Sequence, residues 1–563
     1  MKKLTNVLFS LLVLFLIILS CSPATSNASD ISWQQFQKDS ARTGVINCSA
    51  PTLFPELAWR FGSGYSFSVM PVIQGDTAYA FSSRGNVYAL DRHTGDLIWS
   101  AATKSWSLQT SVPAYGDGKL FVAANDGVNS GYLFAFNASN GQELWNVCAT
   151  NGNFECPVTY YDNKIYIGEG LKGGVKNKSY YCYQDDGTFL WKYETENTAG
   201  FIWDGASIVG DYIVYPTYEG KLMCLYRNNG TFSDEVDLTK DVSFARPDLG
   251  RIRASVAYSD GFLYTTSEKT FISGFIWKIG FDPVNGKFID DGWSVFRDFS
   301  TSTPVVYEGK VYVGQGEHGN TGEMLCLNAS DGSELWAYPV DGGVKSSPAV
   351  CLDNGEIYIY FTEAIPNGAF YCIRGDGTLA WEYNPPDDAS YILQGASISE
   401  GMVYFATGGG YIYAFREMPP RAPVANFTAN VTYGYETLTV AFTDLSEVAT
   451  FWEWDLNGDG TADSTEQNPV FTYASPGAYN VSLVASNIYG NDPEFREAYI
   501  YVDADWNPWN DLDSDGGEYI TFAELMEAYN CFVSQTGAPG TGVLIDFTVV
   551  MEMYNVFVTQ KPM

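Results

Sequence analysis

The sequence predicts a mainly β protein: an eight-bladed β-propeller, followed by a β-sandwich and a small α-helical pair. Three observations predict it. A glycine turn leading into tryptophan recurs at the length of one four-stranded unit. The recurrence stops at a proline-rich stretch, beyond which a different strand pattern begins. Finally, residues 504–563 contain a helical stretch that is duplicated at an offset of 25 residues.

The repeat is clearest from Leu90 to Trp99, Leu-Asp-Arg-His-Thr-Gly-Asp-Leu-Ile-Trp. Its turn glycine returns at Gly141, Gly187, Gly230, Gly286, Gly332 and Gly377, with gaps of 46, 46, 43, 56, 46 and 45 residues counted from Gly95. That period is the length of a four-stranded blade. Each unit opens on a short strand such as Pro71-Val72 or Pro304-Val305. Tight turns such as Asp117-Gly118 and Glu308-Gly309 follow, where Gly, Asn and Asp tolerate positive φ. Second strands such as Lys310-Val311-Tyr312-Val313 alternate with period two. Third strands carry Ala89, Ala135, Cys182, Cys224, Cys326, Cys372 and Ala414 in one slot, and fourth strands end in Trp99, Trp145, Trp191, Trp336 and Trp381. The eighth unit ends at Phe415 without a fourth strand, whereas Pro55-Glu56-Leu57-Ala58-Trp59-Arg60-Phe61 is a fourth strand with nothing before it. The N-terminal strand is therefore expected to close the ring and cover its open edge.

The signature Ala89 to Trp99, repeated from Ala135 to Trp145, resembles the pyrroloquinoline-quinone-type (quinoprotein-like) propeller repeat. The stretch Trp33 to Gly44 is similar to that family's lead-in, so the resemblance covers residues 32–416. The family includes quinone-dependent dehydrogenases and propellers without a cofactor, so the resemblance implies fold rather than activity. No two cysteines are adjacent, so the vicinal disulfide of many quinone-dependent alcohol dehydrogenases is missing, and pyrroloquinoline quinone is not expected as a cofactor.

Residues 417–421 form a proline linker. Beyond it, Val424 to Phe427, Leu438 to Asp444, Trp452 to Asp455 and Tyr473 to Val481 closely resemble a polycystic-kidney-disease-type β-sandwich over residues 422–503. Within it, Asp455, Asn457, Asp459 and Asp463 alternate in a glycine-rich turn. They are either a calcium loop or a hairpin of turn-forming residues.

In residues 504–563, Tyr519 to Val533 matches Leu544 to Val558. Asp511-Leu512-Asp513-Ser514-Asp515-Gly516 precedes the first copy, and the arrangement resembles a dockerin-like pair of EF-hand motifs. The resemblance implies calcium, held by Asp511, Asp513, Asp515 and Glu524, and a cohesin-like partner. Either Asp511 opens a loop two residues longer than usual, or Asp513 opens it with Glu524 twelfth and Gly517 in a ligand place. The second copy has Gly540-Thr541-Gly542 where acids would stand and is expected to fold without metal. Phe522, Leu525, Met526, Tyr529 and Phe532 should pack against Phe547, Val550, Met551, Tyr554 and Phe557.

The 563-residue chain carries 31 basic and 66 acidic residues, a formal charge of −35 that argues against nucleic acid or an anionic membrane as partner. Lys2, Lys3 and the apolar run Val7 to Leu19 read as an export signal over residues 1–21, with a polar tether over 22–31. Ile18-Leu19-Ser20-Cys21 resembles a lipobox, which implies lipidation of Cys21; ordinary cleavage and an uncleaved anchor are the alternatives. Cys148 and Cys156 are the disulfide candidates, and the cysteines in the third-strand slot read as packing residues. With only His93 and His318, histidine-centred catalysis is poorly supported, and no carboxylate pair stands out for glycoside chemistry. Sequons such as Asn137-Ala138-Ser139 add a weak surface signal.

The expected function is a non-enzymatic, exported cell-surface or extracellular scaffold whose propeller binds a protein or glycan, with a calcium-stabilised terminal module. The alternatives are a quinone-dependent dehydrogenase and a carbohydrate-active enzyme docked through that module.

Overall fold

Short β-branched and aromatic runs separated by Gly, Asn and Asp turns leave each repeat one economical solution, an antiparallel meander. The computed structural model describes residues 32–53, 55–103, 111–125, 130–150, 152–170, 177–196, 200–201, 203–240, 251–270, 273–317, 320–386, 395–419, 421–435, 437–503, 520–538 and 544–559. Among these, the repeats form eight sheets, the blades of a β-propeller: seven have four strands, and the seventh in the ring has five because Val45–Asn47 joins it. The first contains Val72–Gln74, Thr77–Phe81, Asn86–Asp91 and Leu97–Ala102, and the next six follow in chain order. The eighth is completed from the other end of the chain: Pro55–Gly62 pairs antiparallel with Tyr411–Glu417, Leu57 opposite Phe415 and Trp59 opposite Ala414. The expected closing strand is thus in place.

One contact recurs between consecutive sheets. A tryptophan on the outer strand donates its indole N–H to a carbonyl in or beside the next sheet: Trp99 to Ala138, Trp145 to Asp185, Trp191 to Arg227, Trp293 to Ala329, Trp336 to Gly375, Trp381 to Pro51 and Trp59 to Arg92, at 2.8–3.1 Å. The turn glycine gives the ring its seat. A Cβ on Gly141, at φ +72°, would come within 2.5 Å of the Trp99 ring. The fourth sheet lacks the tryptophan, and its second-strand Tyr212 donates instead to Val284 O at 3.2 Å. Trp293 was hidden because it stands seven residues after its turn glycine Gly286 rather than four, where the pairing of Ser273–Asp282 with Lys287–Arg297 shifts register.

The same register explains the Ala/Cys slot. Ala89, Ala135, Cys182, Cys326, Cys372 and Ala414 each sit directly across from one of these tryptophans, whereas Lys278 faces Trp293 and donates from its Nζ to Ala329 O at 2.7 Å. All four slot cysteines are fully buried, Cys224 among them.

The chain divides into two units at Met418/Pro419. In the second, Phe427–Ala429, Leu438–Asp444 and Val470–Tyr473 form one sheet, and Tyr433–Tyr435, Gly490–Asp503, Gly477–Asn487 and Phe451–Asp455 the other. Trp454, Phe427, Phe442, Tyr473 and Leu483 fill the space between them. Helices Phe522–Ser534 and Phe547–Thr559 follow. Phe522 meets Phe557 and Phe532 meets Phe547, with ring centroids 6.1 and 5.9 Å apart, so the helices run antiparallel. The expected packing stripe is only partly used. Leu525, Ala528, Val550 and Met553 are buried, whereas Phe522, Met526, Tyr529, Phe547, Met551 and Tyr554 are exposed. Small Ala528 lets the helices approach on a face rotated from the aromatic one. Among the described residues no helix is long and apolar enough to cross a membrane.

Candidate functional sites

The centre of the ring is crossed by the stretch after Trp33, which touches every sheet. Trp33 exchanges backbone hydrogen bonds with Ile73; Gln34, Ser40, Ala41 and Gly44 carbonyls accept from Tyr115, Ile208, Tyr258 and Val350; and Ser49 O accepts from Gly401. Gln35 pairs with Tyr160, and Gly44 lies so close to Val305 that a Cβ would approach to 2.5 Å. In the first five sheets the contact is to the middle residue of a three-residue first strand, so the segment floors the centre at the end where those strands enter their hairpin turns. Its anchor is Arg42, fully buried, donating to Ala206 O, Phe36 O and Thr159 Oγ1 at 3.1, 2.7 and 2.5 Å. Burial lowers its pKa to about 10.

At the other end of the first strands, the loops leading into the fourth to seventh sheets bring a cationic cluster together. Arg253 pairs with buried Glu268 and stacks over Trp203 and Phe299, at 5.2 and 5.6 Å to the centroids. Lys345 Nζ lies 4.8 Å from the same Phe299 centroid. Burial, and then the Arg253 charge, lower the Lys345 ammonium to about 8. Arg253 and Lys345 thus share one aromatic ring, with Glu268 paired to Arg253 beside them. Nothing in the sequence pattern pointed to this cluster.

Other buried carboxylates are braces. Glu363 accepts from Gly342 N, Ala369 N and Tyr371 OH at 2.6, 3.2 and 3.3 Å; Glu169 takes the equivalent place, accepting from Ser179 N at 3.0 Å. Burial raises the Glu169 pKa.

Of the residues singled out from the sequence, Asp511, Asp513, Asp515, Cys21 and His318 lie outside the described residues, as do residues 1–31. Glu524 folds back as a capping box, accepting from Thr521 N at 2.6 Å. Asp455 accepts from Gly458 N and Gly460 N, at 2.7 and 2.8 Å. Asp463 accepts from Leu456 N and Asn457 Nδ2, at 2.7 and 3.2 Å; Asn457 from Asp459 N and Asp459 from Thr461 N, at 2.9 and 2.8 Å. These oxygens serve the hairpin's own amides. Among the described residues no three His, Cys, Asp or Glu side chains are gathered to hold a metal. Cys148 is exposed on the outer strand of the second sheet, whereas Cys156 is buried, its Sγ accepting from Gly168 N at 3.1 Å; both are free thiols. The structure does not bring that pair together. His93 is exposed in a turn, 3.5 Å from Asp76.

The terminal helices carry a second candidate surface. Phe522, Met526, Tyr529 and Val533 are 63, 38, 47 and 60% exposed, and their counterparts 25 residues on, Phe547, Met551, Tyr554 and Val558, are 60, 38, 47 and 56% exposed. Both copies of the repeat therefore present the same apolar face.

Tryptophan-docked sheets, closed by the N-terminal strand, define a quinoprotein-like propeller. The chain belongs to the PQQ_2 repeat family, described as outer membrane protein assembly factor BamB, whose model matches residues 55–154, 83–275 and 275–417; a PKD domain matches residues 418–502. It is 22% identical over 452 residues to the polyvinylalcohol dehydrogenase of Sphingopyxis sp. (strain 113P3), covering 70% of this chain and 65% of that protein. It is 23% identical over 301 residues to the outer membrane protein assembly factor BamB of Yersinia pestis, covering 50% of this chain and 66% of that protein. The BamB of Shewanella oneidensis is 27% identical over 200 residues, 32% of this chain and 47% of that protein. The chain thus spans less than two thirds of the length of each of these relatives. A europium-containing methanol dehydrogenase shares the fold, with a TM-score of 0.54 at 13% identity, over 69% of this chain and 98% of that one.

Proposed function

We propose that this chain is an exported scaffold that binds a protein partner, displaying its propeller from the cell surface, with Cys21 as lipid anchor. The observation that carries the reading is the duplicated apolar face of the terminal helices. Eight large apolar side chains left in water at matched positions are a docking surface rather than scattered exposure. Membership in a family described by an outer membrane assembly factor supports an interaction role for the propeller as well. Calcium is proposed to order the first terminal motif through Asp511, Asp513 and Asp515, with Glu524 released from its cap to complete the shell. The test is capture from an envelope extract of the source cells by the full chain and by its Phe522→Asp/Phe547→Asp variant. One protein retained by the parent and lost by the variant supports the reading. Equal capture by both overturns it.

A second reading, a quinone-dependent dehydrogenase, is favoured by the cluster of Arg253, Lys345 and Phe299, whose charge and flat face fit an anionic quinone. The similarity to a polyvinylalcohol dehydrogenase supports it too.

A further inference from the structure

We infer that Cys48 and Cys351 are a disulfide-forming pair that covalently closes the propeller. They stand 303 residues apart in sequence, yet Val45–Asn47 runs parallel to Ala349–Asp353 with Ile46 opposite Cys351 and Asn47 opposite Leu352. Cys351 Sγ donates to Cys48 O at 2.9 Å. Cys48 stands two residues beyond Ile46, the residue paired with Cys351, and the Cys351 side chain reaches along the strand to it. The Cys351 thiol is raised well above its ordinary pKa, first by its hydrogen bond with the Cys48 side chain and then by burial.

Accessibility sets the order of events. Cys351 is fully buried and Cys48 half-buried, so a small-molecule disulfide meets Cys48 first. The Cys48 thiolate attacks one sulfur of that oxidant, forming a mixed disulfide and releasing one thiolate. Cys351 then attacks the Cys48 sulfur and expels the second thiolate, which takes up the Cys351 proton. Two protein thiols lose two electrons and two protons, and the oxidant leaves as two thiols.

The location gives the bond its purpose. Cys48 lies just before Pro55–Gly62, a strand joined to the eighth sheet by noncovalent contacts, and Cys351 lies in the seventh sheet. Linking them closes residues 48–351 into one covalent loop that holds Pro55–Gly62, the first six sheets and the start of the first strand of the seventh. A cross-link over so long a loop removes much of the unfolded chain's freedom.

The full chain, purified with dithiothreitol and then freed of it, is incubated with oxidised glutathione, alkylated, and digested without reduction. A peptide linking Cys48 to Cys351 is expected, with a urea midpoint above that of the reduced protein and no such difference in Cys48→Ser or Cys48→Ala. Alkylation of both cysteines, a link from either to Cys148 or Cys372, or a Cys48–Cys351 link that leaves the midpoint unchanged would overturn the inference.

Discussion

Trp59 Nε1 donates to Arg92 O at 2.8 Å, and a Cβ on Gly95 would come within 2.7 Å of the Trp59 ring. This pair fastens the N-terminal strand of the eighth sheet to the first, repeating across the seam the contact that joins consecutive repeats elsewhere. Trp59→Ala should cost about 3–5 kcal/mol, in the range of buried aromatic truncations, and should expose the edge of Tyr411–Glu417. Denaturant titration and light scattering would check both; a midpoint and monomer fraction equal to the parent's would remove the seam from the account.

Arg42→Met should destabilise the ring although the stem volume is similar. The Phe36 carbonyl loses its buried donor, at about 1–3 kcal/mol, and the Ala206 carbonyl keeps only a 3.4 Å hydrogen bond from Thr159 Oγ1. Arg42→Lys should recover only part of this, because one ammonium cannot reproduce the planar fork. Urea midpoints in the order parent, Arg42→Lys, Arg42→Met are expected.

Alkaline pH should unfold the propeller through its thiols. Burial pushes Cys156, Cys182, Cys224 and Cys326 up to about 12 from 9.0. A folded pKa above the unfolded one means stability is fully present below about pH 9 and is lost as pH rises toward 12. Lys345, lowered to about 8, and Arg42, lowered to about 10, work the other way, but two groups do not offset four. Melting temperature should therefore fall from about pH 9 upward, and less steeply in a Cys182→Ala/Cys224→Ala/Cys326→Ala variant, since Ala fills the same slot in other sheets.

The repeats were legible because one turn and one docking ring write the same residues into every unit, down to the orphan strand at Pro55. The floor of the ring was not. Gln34, Ser40, Ala41 and Gly44 bind through single backbone groups, which leave no periodic trace. Glu363 and Glu169 are equally silent, as most of their partners are main-chain amides, which leave no mark in the sequence. On the terminal helices the 25-residue duplication was visible, but both faces are apolar, and hydropathy cannot tell which one Ala528 lets close.

Calcium should raise the melting temperature of the full chain, with Asp513→Ala and Glu524→Ala each weakening the effect at least tenfold in half-saturating concentration. Four carboxylates brought to one site would repel one another until a divalent ion neutralised them. Calorimetry with calcium and magnesium arms would check this. A response unchanged in both variants would leave Glu524 as a helix cap alone.

Scaffold and dehydrogenase part company in one spectrum. The full chain is mixed with calcium and pyrroloquinoline quinone, desalted, and its absorbance recorded alongside dye-linked oxidation of an alcohol. The account predicts the spectrum of the protein alone and no turnover. Quinone retained at one per chain, with dye reduction lost in Lys345→Ala, would contradict it.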